Sequence, residues 1–179
     1  MSRTAPARGA ADLPPGSWPW LHDLARWIGT WCFHLVFALR VHHREHVPAT
    51  GPVVVVANHS AAVDGPLLFG LFRRRAVFLV KHEMFRGPLA GLLPRIGQLA
   101  VRRGEPDRAP LTAALAVLRG GGLVGVFPEG TRGEGEVAAA RAGAGRFAGS
   151  TGAGVVAGVL RGTRRAAGSG RGGGPRVGV

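Results

Sequence analysis

Short apolar runs recur along the middle of the chain and are separated by more polar segments. The runs lie at 51–57, 76–81, 99–103, 123–127 and 154–160. Continuous apolar runs of this length are typical of strands that are buried on both faces of a sheet. The segments between them that have helical character are 84–93, 108–119 and 138–150. Alternating strands and helices predict an α/β domain whose largely parallel central sheet is flanked by helices.

The segment at 18–42 has a different pattern, because apolar side chains recur there at helical spacing. They are Leu21, Leu24, Ile28, Trp31, Leu35 and Leu39, and all four tryptophans of the chain lie in the same segment. Its uncharged part, residues 27–39, is 13 residues long, and a membrane-spanning helix needs about 20. Because tryptophan favours the lipid headgroup region, we predict an amphipathic interfacial helix that associates with a membrane. The alternative is a helix that packs on the core of the domain.

The two ends of the chain differ in composition from the middle. Residues 1–17 lack the apolar core and cleavage pattern of a secretory signal and are expected to form a disordered arm. Residues 164–179 are rich in glycine and arginine and are expected to form a flexible tail. The folded α/β domain is then expected at 43–163.

The chain carries a formal net charge of +13, from 23 Lys plus Arg against 10 Asp plus Glu. Such an excess favours polyanionic partners, namely nucleic acid, anionic lipid or phosphorylated substrates, although biased coding composition would produce it too. Cys32 is the single cysteine, which excludes an intramolecular disulfide and a cysteine-based metal cluster. The neighbouring histidines at 42, 43 and 46 have only Glu45 as an acidic companion, and no metal site is expected from them.

Polar residues follow the apolar runs, where open α/β sheets place their ligand sites. The run at 51–57 is followed by Asn58 and His59, with Asp64 five positions after the histidine. A carboxylate on imidazole Nδ1 fixes the tautomer and leaves Nε2 able to accept a proton from a hydroxyl. This spacing therefore predicts a general-base pair, whereas a chance surface pair is the alternative. Ser60 adjoins His59 and leaves a serine nucleophile open.

Other polar residues end the remaining runs. Lys81 ends the second run, where it either lines the site or lies solvated at a strand end. The stretch at 127–132 reads Phe-Pro-Glu-Gly-Thr-Arg. Its backbone N–H groups, hydroxyl and guanidinium can bind phosphate oxygens, although an ordinary Pro-Gly turn is the alternative.

Together these stretches resemble the glycerolipid acyltransferase family, whose bacterial members include the 1-acyl-sn-glycerol-3-phosphate acyltransferases. The family's first block, Asn-His with an Asp five residues after the His, is matched by Asn58, His59 and Asp64. The family's Phe-Pro-Glu-Gly-Thr-Arg block appears unbroken at 127–132. GQLAVRR at 97–103 is similar to a further block and places that family's arginine at Arg103. A fourth stretch, at 141–163, resembles the family's last helix and strand.

The resemblance implies transfer of a fatty acyl group from acyl-CoA or acyl-ACP to the hydroxyl of lysophosphatidic acid or a related glycerophospholipid. It implies that His59 is the general base and that Asp64 orients it. Asn58, Ser60 and Lys81 are candidate supporting residues, because they adjoin the histidine or end a neighbouring run. The acceptor phosphate would be bound by Arg103 and Arg132, in a phosphate-binding pocket shaped by Glu129, Gly130 and Thr131.

No cofactor or metal is implied. The single cysteine favours a reducing compartment, and with the predicted interfacial helix the expected location is the cytoplasmic face of the cell membrane, peripheral or monotopic, on an anionic lipid surface. A catalytically weak member, or one acting on another alcohol, is the alternative. A nucleic-acid-binding protein is a more distant one. The aromatic residues cluster in the predicted helix instead of alternating with basic residues on a strand, so no nucleic acid partner is expected.

Overall fold

The structure is a computed structural model, and the residues it describes are 12–36, 39–59, 61–102, 108–127, 144–161 and 176–178. The helices are α1 (Pro19–Val36), α2 (Asp64–Leu71), α3 (Pro88–Arg95) and α4 (Arg108–Arg119), and α5 is described over 144–151. The strands are β1 (Arg40–His42), β2 (Val53–Ala57), β3 (Ala76–Lys81), β4 (Leu99–Val101), β5 (Leu123–Val126), β6 (Gly154–Arg161) and β7 (Arg176–Gly178). Short 3-10 turns occupy Arg44–His46 and His82–Met84.

The strands form one sheet in the order β1-β7-β6-β2-β5-β3-β4. Every pairing from β6 across to β4 is parallel, and β6 with β7 is the antiparallel pair. The predicted α/β class with a largely parallel sheet is therefore confirmed. Because these five strands run in the same direction, their carboxyl ends meet at one edge of the sheet.

The run of valines in β2 is continuous because both faces of the sheet are covered. Val53 and Val55 are fully buried in a layer that includes α2 and is covered by side chains of α1. Val54 is fully buried on the opposite face, in a layer built with α4 and α5. Side chains alternate between the faces of a strand, so successive valines enter different cores.

Helix α2 was not predicted from the sequence. Its residues, DGPLLFGL, are apolar around most of the helix, and Leu67, Leu68 and Leu71 are all buried. A helix that is covered on several sides shows no amphipathic period, which is the signal that identifies surface helices. The predicted segment at 84–93 corresponds to α3, which begins four residues later.

Helix α1 crosses α2 at two glycines. A Cβ atom added at Gly70 would lie 2.9 Å from backbone atoms of Gly29 and Thr30, whereas one added at Gly29 would lie 3.6 Å from Gly70. The Thr30 hydroxyl also donates a hydrogen bond to the Gly70 carbonyl oxygen at 2.5 Å. The missing side chain of Gly70 thus lets the two backbones approach.

The start of α1 is fixed to the sheet by a buried histidine. His22 is completely buried; its Nδ1 donates to the Ile96 carbonyl oxygen at 2.7 Å and its Nε2 accepts from the Ala76 N–H at 3.4 Å. Burial is the largest influence on its pKa and lowers it from the usual value, because a charged imidazole would lose its hydration. Next to it, two hydrogen bonds from Arg75 lower the pKa of Asp23.

The structure corrects three predicted boundaries. Residues 12–17 belong to the folded domain instead of the disordered arm, since Leu13 is buried against the sheet layer that contains α4. The predicted helix at 18–42 is helical to Val36, and its end forms β1, which pairs with β7. Residues 176–178 of the predicted tail form β7, paired with β6. The rest of the predicted arm (1–11) and tail (164–175, 179) lies outside the described residues.

Candidate active site

The first candidate residues leave the carboxyl end of β2, in the middle of the sheet. Asn58 follows the strand directly, and its side-chain amide bonds both backbone groups of Leu160 in β6. Nδ2 donates to the Leu160 carbonyl oxygen at 2.8 Å and Oδ1 accepts from the Leu160 N–H at 2.6 Å. A side-chain amide carries a donor and an acceptor that can replace one peptide unit. Asn58 therefore continues the β2–β6 pairing for one more position and fixes the backbone that leads into His59.

Asp64 lies in the first turn of α2, and its carboxylate is completely buried. Its Oδ2 accepts a hydrogen bond from the Ala61 N–H at 2.7 Å, and its own N–H donates to the Ala61 carbonyl oxygen at 3.0 Å. A negative charge in the first turn is also favoured by the helix dipole. The carboxylate is thus held by the loop that connects β2 to α2.

The same Oδ2 faces the imidazole of His59. The distance from His59 Nδ1 to Asp64 Oδ2 is 3.5 Å, which is longer than a strong N–H···O bond. Nδ1 is buried and has no partner within hydrogen-bond geometry among the described residues, while about a third (34%) of the His59 side chain is exposed. Catalytic hydrogen bonds are often long in proteins without substrate and shorten in the reacting complex. The structure thus brings together the two residues that the sequence predicted as a pair.

An aromatic ring, which the sequence reasoning missed, covers the histidine. Phe127 lies at the carboxyl end of β5, with its ring centroid 4.7 Å from that of His59, and it stacks on Phe78 at 5.6 Å. The ring packs against the imidazole and limits its orientations. The sequence feature that could have identified Phe127 was its position at the end of an apolar run, directly before a polar stretch.

The remaining predicted site residues fall into two groups. Lys81 ends β3 and forms a half-exposed ion pair with Glu83 at 3.2 Å, and no contact with His59 is seen in the described part of the chain. The other residues, Ser60, Arg103, Glu129, Gly130, Thr131 and Arg132, lie outside the described residues. In the sequence, β4 precedes Arg103 and β5 precedes Arg132.

Residues 38–160 match the Acyltransferase protein family. The chain is 34% identical over 94 residues to a 1-acyl-sn-glycerol-3-phosphate acyltransferase of Borreliella burgdorferi, covering 51% of this chain and 38% of that protein. It is 30% identical over 96 residues to the Bacillus subtilis protein of the same name, covering 52% of this chain and 48% of that protein. The matched region thus spans less than half the length of either curated relative.

The fold is similar to the crystal structure of the 1-acyl-sn-glycerophosphate (LPA) acyltransferase PlsC from Thermotoga maritima. The TM-score is 0.66 at 25% sequence identity, and the likeness covers 88% of this chain and 66% of that one. The family match extends over more than two thirds of the 179 residues and includes the His59–Asp64 pair. The chain therefore belongs to the Acyltransferase family.

Proposed function

We propose that this protein transfers a fatty acyl group from the thioester of acyl-CoA or acyl-ACP to the free hydroxyl of lysophosphatidic acid. The observation that carries the proposal is the His59–Asp64 pair at the carboxyl edge of a parallel sheet. The names of the Borreliella and Bacillus relatives support the same reaction class.

His59 acts as the general base of the reaction. Its Nε2 accepts the proton of the acceptor hydroxyl as the hydroxyl oxygen attacks the thioester carbonyl carbon. The tetrahedral intermediate then collapses, the carbon–sulfur bond breaks, and the imidazolium returns the proton to the leaving thiolate. The products are a new ester and a free thiol. Because the acceptor attacks directly, no acyl-enzyme is formed.

Asp64 orients His59 and stabilises its protonated form. The Ala61 N–H holds Oδ2 on the Nδ1 side of the imidazole, so that Nδ1 carries the hydrogen and Nε2 is the basic nitrogen. Phe127 keeps the ring in this orientation from β5. General-base catalysis by a positioned histidine contributes about 10²–10⁴-fold to a rate.

The acceptor phosphate is bound by Arg103 and Arg132, with residues 129–131 shaping the pocket. The support is topological, since these residues follow β4 and β5, which run parallel to β2 within one sheet. Arg102 and Phe127, the described residues that follow these two strands, leave the sheet at the edge where His59 lies. Guanidinium groups bind phosphate oxygens in a bidentate manner. Loss of either arginine is therefore expected to cost about 2–4 kcal/mol, measured as a lower kcat/KM for the phosphorylated acceptor.

The acceptor is tested by comparing lysophosphatidic acid with monoacylglycerol, which lacks the phosphate. Arg103→Ala and Arg132→Ala should lower kcat/KM for lysophosphatidic acid by about 30-fold or more and change the rate with monoacylglycerol little. An equal loss with both acceptors would contradict phosphate binding by these arginines. A wild-type preference for the neutral alcohol would favour another acceptor.

The catalytic assignment is tested with radiolabelled acyl-CoA and lysophosphatidic acid. His59→Ala should reduce turnover by at least 10² while circular dichroism shows an unchanged fold. The matched control is His42→Ala, because His42 is an exposed histidine on β1. Unchanged turnover in His59→Ala would refute the assignment.

We further propose that α1 binds the cytoplasmic face of the membrane in the plane of the interface. One side of α1 packs on α2, and the other side leaves large apolar side chains exposed. These are Trp20, Leu24, Trp27, Ile28, Trp31 and Leu35, with exposed fractions from 43% to 83%. Their spacing is that of a single helix face, and indole rings favour the headgroup region. None of the described helices is both long enough and apolar enough to cross a bilayer.

Membrane binding is tested by flotation with anionic liposomes. Trp27→Ser combined with Trp31→Ser should abolish flotation, because these two rings supply a large share of the exposed apolar area. Leu111→Ser is the matched control, since Leu111 is 43% exposed on α4, in the layer on the opposite face of the sheet. Equal flotation of the double variant and the control would overturn this proposal.

A further inference from the structure

Imidazole and carboxylate side chains cluster on the link between β1 and β2, apart from the candidate active site. The link contains the 3-10 turn Arg44–His46, with His43 immediately before it. The His46 N–H donates to the His43 carbonyl oxygen at 3.0 Å, which closes the chain into a turn over positions 43–46. The rings of His43 and His46 accordingly stack, with their centroids 5.1 Å apart and their planes within 9° of parallel.

Glu45 completes this cluster on the same side. Its Oε1 lies 3.4 Å from His43 Nδ1, and one ligand atom from each of the three residues lies within 4.8 Å of the others. His43 has φ 58° and ψ 34°, and it is the non-glycine residue with positive φ in the described part of the chain. The left-handed conformation is unfavourable for a residue with a Cβ atom, and such local strain is found preferentially at functional sites.

We propose that His43, Glu45 and His46 form a binding site for a divalent transition-metal ion of the Zn²⁺, Ni²⁺ or Cu²⁺ type. Two imidazole nitrogens and one carboxylate oxygen are the donor set that these ions prefer. Mg²⁺ and Ca²⁺ prefer sites made mainly of oxygen atoms. Three protein donors leave a tetrahedral ion one further position, which water can fill.

An ion would require the three ligand atoms to move closer together. Metal–ligand bonds of about 2.0–2.1 Å place tetrahedral donors roughly 3.4 Å apart, so the widest separation of 4.8 Å has to shrink by about 1.4 Å. The side chains of His43 and Glu45 are 62% and 71% exposed, and exposed side chains change rotamer readily.

Arg44 lies between the proposed ligands in sequence, but its side chain bonds a different part of the chain. Its Nη2 donates to the Leu71 carbonyl oxygen at the end of α2, so the guanidinium is directed toward that helix. The sequence interpretation expected no metal here because Glu45 was the only carboxylate or cysteine at ligand spacing from the histidines. The structure adds what that interpretation did not contain, namely a closed turn that stacks the rings of His43 and His46.

The site is tested by isothermal titration of ZnCl₂ into the full chain prepared without a histidine tag. One ion should bind per molecule, and His43→Ala or His46→Gln should weaken its affinity at least tenfold. His82→Ala is the matched control, because His82 is an exposed histidine in the other 3-10 turn, beside Glu83 but without a second imidazole. Equal zinc affinity in His46→Gln and wild type would overturn the proposal.

Two further measurements separate a specific site from weak surface binding. ZnCl₂ should raise the Tm of the wild type and of His82→Ala, because an ion that binds only the folded state stabilises it. It should not raise the Tm of His46→Gln, whose fold is checked by circular dichroism. MgCl₂ at the same concentration should give no binding heat. A magnesium response equal to that of zinc would contradict the nitrogen-containing donor set.

Discussion

The close crossing of α1 and α2 predicts that alanine at position 70 destabilises the protein, although alanine normally favours a helix over glycine. The added Cβ atom would meet two backbone atoms at 2.9 Å, and backbone cannot rotate away as a side chain can. Overpacking of this kind costs up to about 3 kcal/mol, and the helix propensity of alanine returns about 1 kcal/mol. We therefore expect Gly70→Ala to lower the free energy of unfolding by about 2 kcal/mol, as the difference of those two effects.

The matched variant is Gly29→Ala on the opposing helix. Its Cβ atom would lie 3.6 Å from Gly70, an ordinary contact, so the gain in helix propensity of up to about 1 kcal/mol should remain. In thermal unfolding, Gly70→Ala should melt about 4–8 °C below wild type, whereas Gly29→Ala should melt at or above it. A Gly70→Ala protein as stable as wild type would refute the close crossing.

Two further predictions concern Asn58 and His22. Asn58→Leu leaves the N–H and carbonyl oxygen of Leu160 without the two side-chain bonds, so unfolding in urea should show a loss of about 2 kcal/mol or more; a loss below 0.5 kcal/mol would contradict the pairing. Because burial lowers the folded-state pKa of His22 from its usual value of 6.5, the unfolded chain binds its proton first as the pH falls through 6.5. Stability from the neutral ring is thus present above that pH and lost below it. The free energy of unfolding should fall more steeply between pH 7.5 and 5.5 in wild type than in His22→Gln, by at most about 1.4 kcal/mol per pH unit, and equal slopes would contradict this role.

The strands of the central sheet could be predicted because each one is a local apolar run. The run at 76–81 coincides with β3, and those at 123–127 and 154–160 each differ from the observed strand by one residue. The pairing of His59 with Asp64 could also be predicted, since only a short loop separates His59, after β2, from Asp64 at the start of α2. These features depend on residues that are close together in the sequence, so the sequence pattern is sufficient to predict them.

The features that could not be predicted depend on contacts between distant parts of the chain. Leu13 is buried by a sheet layer formed much later in the sequence. The strand at 176–178 exists because β6 and β1 lie on either side of it. Phe127 covers His59 because β5 lies beside β2, an adjacency that the sequence pattern did not give.

The central claim is that Asp64 acts through His59 in proton transfer, and a double-mutant cycle measures this coupling directly. Acyl transfer from radiolabelled acyl-CoA to lysophosphatidic acid is compared for His59→Ala, Asp64→Asn and the double variant, at a pH where all three remain folded. If the carboxylate acts only by orienting and stabilising the imidazole, the double variant should be no slower than His59→Ala alone. If the losses of the two single variants multiply in the double variant, the residues act independently and this account of the site is wrong.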